Sequence, residues 1–579
     1  MTTLALSGTM ATAVSSGRVE LANVRQRSLT TARWRVQWVI ALFGLVAAVM
    51  ILRIGFVGLV KAAPVRQDLA SSLLPERGDI VDRNGQPLAR AFPAYSLWYN
   101  PAALGGDGPP LVRSPQDVAA ALMRIFPNED RARLTARLVA GKPGYLRRRI
   151  LPEDANRIHA LGEPALEFPR EVERFYPQGS VASHVLGYVA ADGHGRVGME
   201  QVFDQHLTDP ASRGQPAMLA IDTRVQGALE DELLRGMRES NAKGGAGIVL
   251  DVDTGEVVAL ASLPSFNPNL IDQIGAGNIF NRVTNQVYEL GSTFKPITVA
   301  AAIDAGTVTN LSRRYQASRP IAIGGFQIRD SHALGASLNV PESLIHSSNI
   351  VTAQIGDELG GARLNATMRA LGMAERPYIE LPAKGFPLWP KGNWSEITTM
   401  TVSYGHGIAV TPLHLASAYA ALVNGGIWRP ATLKRIAPGT YVPGRRVFKA
   451  STSARMRQLL RMIVSIGTGK NANAIGYRVG GKTGSAEKPG AGGYNRTSLV
   501  ATFAAAFPMD RPRYVIIAML DEPQGTAATS GQRTAAWNAA PVVGRVVPRI
   551  GPLLGIMPDD TRDVDISDLA PLVGRGGGE

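Results

Sequence analysis

From Val36 to Leu52 the chain reads VQWVIALFGLVAAVMIL without one charged residue; Arg53 interrupts, and IGFVGLV continues to Val60. About 20 apolar residues in a helix cross the hydrocarbon core of a bilayer, and an Arg near the helix end can extend its charge to the headgroups. The run therefore divides the chain into a leading tail, a span and a long remainder. Arg18, Arg25, Arg27, Arg33 and Arg35 precede the span against the lone acid Glu20. Positive charge stays inside, so residues 1–35 are expected in the cytoplasm, the span at 36–60 in the membrane, and the rest of the chain outside. A cleaved signal peptide would have a shorter apolar core followed by a small-residue cleavage site; an uncleaved single-pass anchor is the expectation.

A chain of 579 residues exceeds one ordinary core, so two or more domains are expected. Cysteine is absent. That excludes a thiol nucleophile, thiolate zinc sites and disulfides, and suits an extracytoplasmic protein. The formal charge of +14 raises the question of nucleic acid, but with 6% aromatic residues and scattered arginines there is no basic stripe interleaved with aromatics. No nucleic acid is expected; attraction to an anionic surface, a bilayer or a carboxylate-rich polymer, accounts for the charge.

Beyond the span, RGDIVDRNGQPLA (77–89) holds Asn84-Gly85, a tight-hairpin pair, and RFYPQGSVASHVLGYV (174–189) holds a turn before an apolar run. Residues 61–235 read as an α+β module without catalytic character. From 236 to 557 the signals run strand, helix, strand. Two β-rich runs flank Asp253-Thr254-Gly255, helical segments follow near 292–305 and 410–424, and β-rich runs return at 499–507 and 514–520. This pattern predicts helices packed on an antiparallel sheet. The end, 558–579, is acidic and then Gly-rich, and is expected to be a disordered tail.

Ser292 and Lys295 stand three residues apart in YELGSTFKP (288–296), so a helix would place amine and hydroxyl on one face. A serine hydroxyl needs a neighbouring base to become a nucleophile. Pro296 is tolerated only in a first helical turn, which puts Ser292 at the helix start, where the dipole favours a developing oxyanion. The S-x-x-K pattern also occurs at Ser240–Lys243 and Ser485–Lys488. The first lies where a helix ends before Gly244-Gly245, the second in what reads as a loop, Lys488-Pro489-Gly490. An N-cap serine is the bland reading of Ser292, and its companions decide between the two.

Ser347-Ser348-Asn349 offers a hydroxyl for proton relay and a carboxamide for a peptide backbone, although S-x-N recurs at Ser265–Asn267 and Ser337–Asn339. Gly481-Lys482-Thr483-Gly484-Ser485 would form a strand along which a peptide can add, with an ammonium to attract a carboxylate. Residues 476–483 also fit the phosphate-binding pattern G-x-x-x-x-G-K-[ST]. That motif needs a helix straight after the loop, and Gly484 with Lys488-Pro489-Gly490 forbids one.

The three elements in this order resemble the penicillin-binding protein superfamily, for which S-x-x-K, S-D-N and K-T-G are a known signature. Their spacing, together with RGDIVDRNGQPLA, RFYPQGSVASHVLGYV, GMEQVFDQHL, ASLPSFNPN and KTGSAEKPG, is similar to class B members from about residue 74 to 550, and most to the Gram-negative cell-division type. Ser348 stands where the signature has Asp, and Ser485 where Thr is usual. The resemblance implies an α+β fold: an elongated N-terminal pedestal module, then a transpeptidase domain with helices on both sides of an antiparallel sheet and a helical subdomain. It implies Ser292 as nucleophile, Lys295 as base, Ser347 as relay, Asn349 as peptide holder, Lys482 and Thr483 as carboxylate binders, and Gly484-Ser485 at the substrate strand. The N–H groups of Ser292 and Ser485 would form the oxyanion hole. No cofactor or metal is implied. The implied partners are peptidoglycan stem peptides, lipid-linked nascent glycan, a SEDS-type glycan polymerase and other division-complex membrane proteins. An elongation-type transpeptidase and a mainly scaffolding division protein are the alternatives.

Overall fold

The computed structural model describes residues 32–53, 77–105, 109–190, 192–273, 275–490 and 493–574, in two units, residues 1–73 and 74–579. In the first unit Ala32–Arg53 is one helix of mean hydropathy 2.1 with no part of its apolar surface buried by protein. Such a surface fits a lipid environment and a single-pass membrane anchor. The helix starts four residues before the expected span; the tail ahead of it, residues 54–60 of that span and the RGGGE terminus lie outside the described residues.

The second unit opens with the expected hairpin. Ile80 pairs with Ala89 and Val81 with Pro87, around a turn in which Asp82 Oδ1 accepts the N–H groups of Asn84 and Gln86 at 2.8 and 2.9 Å. Strand Pro87–Tyr99 then pairs with Gly144–Ile150 and Arg170–Phe175. Helices Pro115–Ile125 and Arg131–Val139 start at side-chain caps from Ser114 and Asp130. With Pro152–His159 they close a small core around Leu97, Tyr99, Leu122, Leu134 and Ile158.

Three of the sequence phrases meet at one buried ion cluster. Arg77, from RGDIVDRNGQPLA, donates Nε and Nη2 to Glu200 Oε2 at 2.9 and 2.7 Å, and its Nη1 reaches Asp204 at 2.7 Å. Arg174, from RFYPQGS, donates to Glu200 Oε1 at 2.6 Å. Glu200 and Asp204 belong to GMEQVFDQHL, and the Glu200 side chain is wholly buried.

The larger body is an antiparallel five-stranded sheet. In chain order its elements are α1 (Thr223–Ser240), β1 (Gly244–Asp251), β2 (Val257–Leu263), α2 (Lys295–Asp304), α3 (Asn349–Leu359), α4 (Pro412–Val423), α5 (Ala450–Ser465), β3 (Gly480–Gly490), β4 (Gly493–Phe507), β5 (Tyr514–Asp521) and α6 (Ala539–Ile550). The strand order is β2-β1-β5-β4-β3, which leaves β3 at an edge. Val249 and Ile516 face α1 and α6, packing near Leu229, Leu233, Val542 and Val546. Their neighbours Ile248 and Ile517 face the other side, where Leu415, Tyr419 and Leu422 of α4 lie. Both faces are covered, which is why the central strands read as unbroken apolar runs. Helices α2 and α3, with Glu396–Ser403, form the helical cluster beside the sheet.

Two expectations are corrected. Lys488-Pro489-Gly490 is not a loop: β3 runs to Gly490 with a register shift between Glu487 and Lys488. Pro489 is compatible because an edge strand tolerates a missing N–H. Residues 558–574 are not a disordered tail either. Asp563 accepts from Arg461 at 2.7–2.9 Å, Asp568 from Arg455 at 2.5 Å, and Leu569 is buried. The acids that composition counts as solvating find arginines of α5, and Leu569, with Val564, Ile566, Leu572 and Val573 packed around the same core, anchors the segment.

Candidate active site

Ser292 lies in a 3-10 turn, Gly291–Phe294, and α2 begins at Lys295 with Pro296 in its first turn. Thr293 Oγ1 bonds back to the Leu290 carbonyl at 2.9 Å, and the Tyr419 hydroxyl, buried on α4, donates to the Thr293 carbonyl at 2.8 Å. These bonds hold the turn from below. Strand β3 lies against it from the side: a Cβ on Gly484 would fall 2.4 Å from the Leu290 carbonyl oxygen, so only glycine permits this approach. Ser292 is half-buried, and among the described residues its hydroxyl has no hydrogen-bond partner.

Two lysines, both fully buried, converge on Ser347. Lys295 Nζ donates to the Ser347 carbonyl and, at 3.2 Å, to Ser347 Oγ. Lys482 Nζ donates to the same Oγ at 2.9 Å, and to the carbonyl and Oγ1 of Thr483 at 3.0 and 3.3 Å. Burial drives the Lys295 amine well below a lysine's usual value; the Lys482 charge pushes the same way, and Asp330 opposes. Burial lowers Lys482 to about 7.

The contacts of the Lys482 amine are with Ser347 and Thr483. Thr483 Oγ1 also bonds Thr468 Oγ1 at 3.1 Å, on the turn after α5. Ser347 takes a left-handed backbone, φ +62°, uncommon outside glycine. Asn349 donates its amide to the Arg329 carbonyl at 2.9 Å. The Ser485 hydroxyl accepts the Ala535 N–H at 3.0 Å, tying β3 to the segment before α6.

The other S-x-x-K serines are elsewhere. Ser240 ends α1 with its hydroxyl on the Gly236 carbonyl at 2.7 Å, and Ser485 is part of β3. Residues 480–490 form a strand, not a phosphate loop followed by a helix. Sequence reasoning missed Asp330, Thr468 and a group around Glu289. Glu289 accepts the Tyr494 hydroxyl at 2.9 Å and the Gly407 N–H at 3.2 Å, with His406 Nδ1 at 3.5 Å. His406 is lowered to about 4 by burial and by Lys295. The proximity of Glu289 to Ser292 in sequence was the one available signal.

The model of the penicillin-binding protein transpeptidase domain matches residues 245–542, and that of the penicillin-binding protein dimerisation domain residues 72–227. The chain is 38% identical over 534 residues to the probable peptidoglycan D,D-transpeptidase FtsI of Caulobacter vibrioides, covering 90% of this chain and 89% of that protein. The chain belongs to the penicillin-binding protein family. FtsI of Escherichia coli K12, a peptidoglycan D,D-transpeptidase, is 30% identical to this penicillin-binding protein over 547 residues, covering 90% and 91% of the two chains. Penicillin-binding protein 3 of Mycobacterium tuberculosis, solved with aztreonam, shares the fold with a TM-score of 0.66 at 24% identity, covering 84% of this chain and 97% of that one.

Proposed function

We propose that this protein is a serine-type peptidoglycan D,D-transpeptidase that cross-links stem peptides during septal cell-wall synthesis and is acylated by β-lactams. The observation that carries the reading is the convergence of two buried lysine amines on the Ser347 hydroxyl, one of them from the helix whose start carries Ser292. The Ser292 hydroxyl attacks the carbonyl of the penultimate D-Ala, its proton passing to the free lone pair of Lys295. The tetrahedral oxyanion takes hydrogen bonds from the N–H groups of Ser292 and Ser485. Terminal D-Ala leaves as an amine, protonated through Ser347, with Lys482 stabilising the transfer. An amine from a second stem then attacks the ester, forms the cross-link and returns the proton to Ser292. Asn349 and Thr483 hold the peptide and its carboxylate, and the peptide lies along the open edge of β3.

The N-terminal arginines support an anchor with a cytoplasmic tail and a periplasmic catalytic body. The N-terminal module offers no chemistry and supports docking to a SEDS-type glycan polymerase and other division proteins. Labelling the purified protein with a fluorescent penicillin tests the catalytic reading: wild type labels and Ser292→Ala does not. Equal labelling of both would overturn the nucleophile. Depletion tests the septal role, with filamentous cells expected and round cells pointing to the elongation type.

A further inference from the structure

The signature carries a carboxylate between its serine and asparagine, and here that position is Ser348. The carboxylate is present nevertheless, delivered from another segment. Ser348 Oγ, wholly buried, donates to Asp330 Oδ2 at 2.7 Å. Asp330 Oδ1 accepts the backbone N–H groups of Asn349 and Ile350 at 2.5 and 3.1 Å. These are the first two residues of α3, so the charge sits on a helix N-terminus, where it is favoured. The preceding carbonyl, Arg329, holds the Asn349 amide. Both follow strand Phe326–Ile328, whose Ile328 is packed with Ala353, Met400 and Tyr404.

We propose that Asp330 is a positioning residue for acyl transfer: it clamps the Ser347–Asn349 turn. The proposal rests on the transpeptidase reading above. Ser347 must keep an unfavourable left-handed backbone to offer its hydroxyl to both amines, and the three hydrogen bonds to Asp330 fix the residues immediately after it. The charged or titratable groups acting on the cluster are Lys295, Lys482, Asp330 and His406. Of these, Asp330 favours the ammonium form of Lys295, and Lys482 opposes it.

The experiment measures the rate of acylation by a fluorescent penicillin against pH, with thermal melting alongside, for wild type, Asp330→Asn, Asp330→Ala and the double variant Asp330→Ser/Ser348→Asp. Labelling of wild type but not of Ser292→Ala confirms the transpeptidase site independently of how the Asp330 variants behave. Expected are acylation slowed about 10- to 100-fold in both single variants, as for a catalytic group displaced by about 1 Å; an acid limb displaced to lower pH, because the charge favouring the ammonium is gone; and recovery in the double variant, which returns the carboxylate to the signature position. Acylation within twofold of wild type in the single variants overturns the proposal. So does a loss that tracks melting temperature, leaves the acid limb in place, or is not recovered by the double variant.

Discussion

In the N-terminal module the buried guanidinium groups of Arg77 and Arg174 face the buried carboxylate of Glu200, whereas in the cleft the buried amines of Lys295 and Lys482 face each other across one hydroxyl. Burial is the same in both places; the sign of the neighbour differs. Opposite charges keep each group ionised and make the cluster a fastener between three distant segments. Burial without a paired opposite charge makes the ionised state costly, and the like-charged Lys482 adds to that at Lys295, which lowers its amine and suits it to act as a base. The same physics thus yields a structural joint in one region and reactivity in the other.

The largest effect expected from breaking this contrast is at Lys295. Lys295→Met should slow acylation by a fluorescent penicillin by about 10²- to 10⁴-fold, the range for loss of a general base, with melting temperature held or raised. A fall of less than tenfold would remove Lys295 as the base. Glu200→Gln should act oppositely, leaving two buried guanidinium groups underpaired. It should cost about 3–5 kcal/mol in denaturant unfolding, while the folded fraction still acylates normally.

Lys482→Met sharpens the comparison through its sign. A lysine lowered from 10.5 to about 7 on folding binds fewer protons folded than unfolded between those values. Its burial therefore costs most below pH 7, and the cost fades as pH rises towards 10.5. The variant should lose activity yet gain up to about 4 kcal/mol of stability at pH 7, less the hydrogen bonds to Ser347 and Thr483, with the gain reduced to about 1 kcal/mol at pH 10. An equal difference at both pH values would contradict the shift. The smallest effect belongs to Asp563→Asn, which breaks a pair with Arg461 that is half-exposed on the acid's side. It should cost about 0.2–1 kcal/mol and diminish in high salt.

Much of this architecture was legible in the chain. Asn84-Gly85 and Thr254-Gly255 marked hairpins because tight turns demand such residues, and Pro296 marked the start of α2 because its ring fits only a first turn. The lysine pair was legible as a pattern, but its arrangement was not. The approach of Lys482 to Ser347 spans 135 residues and depends on how β3 lies against the 291–294 turn. Asp330 carried no local signal, since its partners are 18 to 20 residues downstream. Residues 558–574 misled because composition cannot show that Arg455 and Arg461 stand ready on α5.

The account's central claim is that burial and a like-charged neighbour hold the Lys295 amine well below a lysine's usual value. The acylation rate of wild-type protein by a fluorescent penicillin, measured from pH 5 to 10, tests it directly. The rate should stop rising well below pH 10, and fall on the alkaline side as Lys482, lowered to about 7, gives up its proton. A rate still climbing about tenfold per pH unit between 8 and 10 would report a lysine with its ordinary pKa of about 10.4, and would contradict the claim.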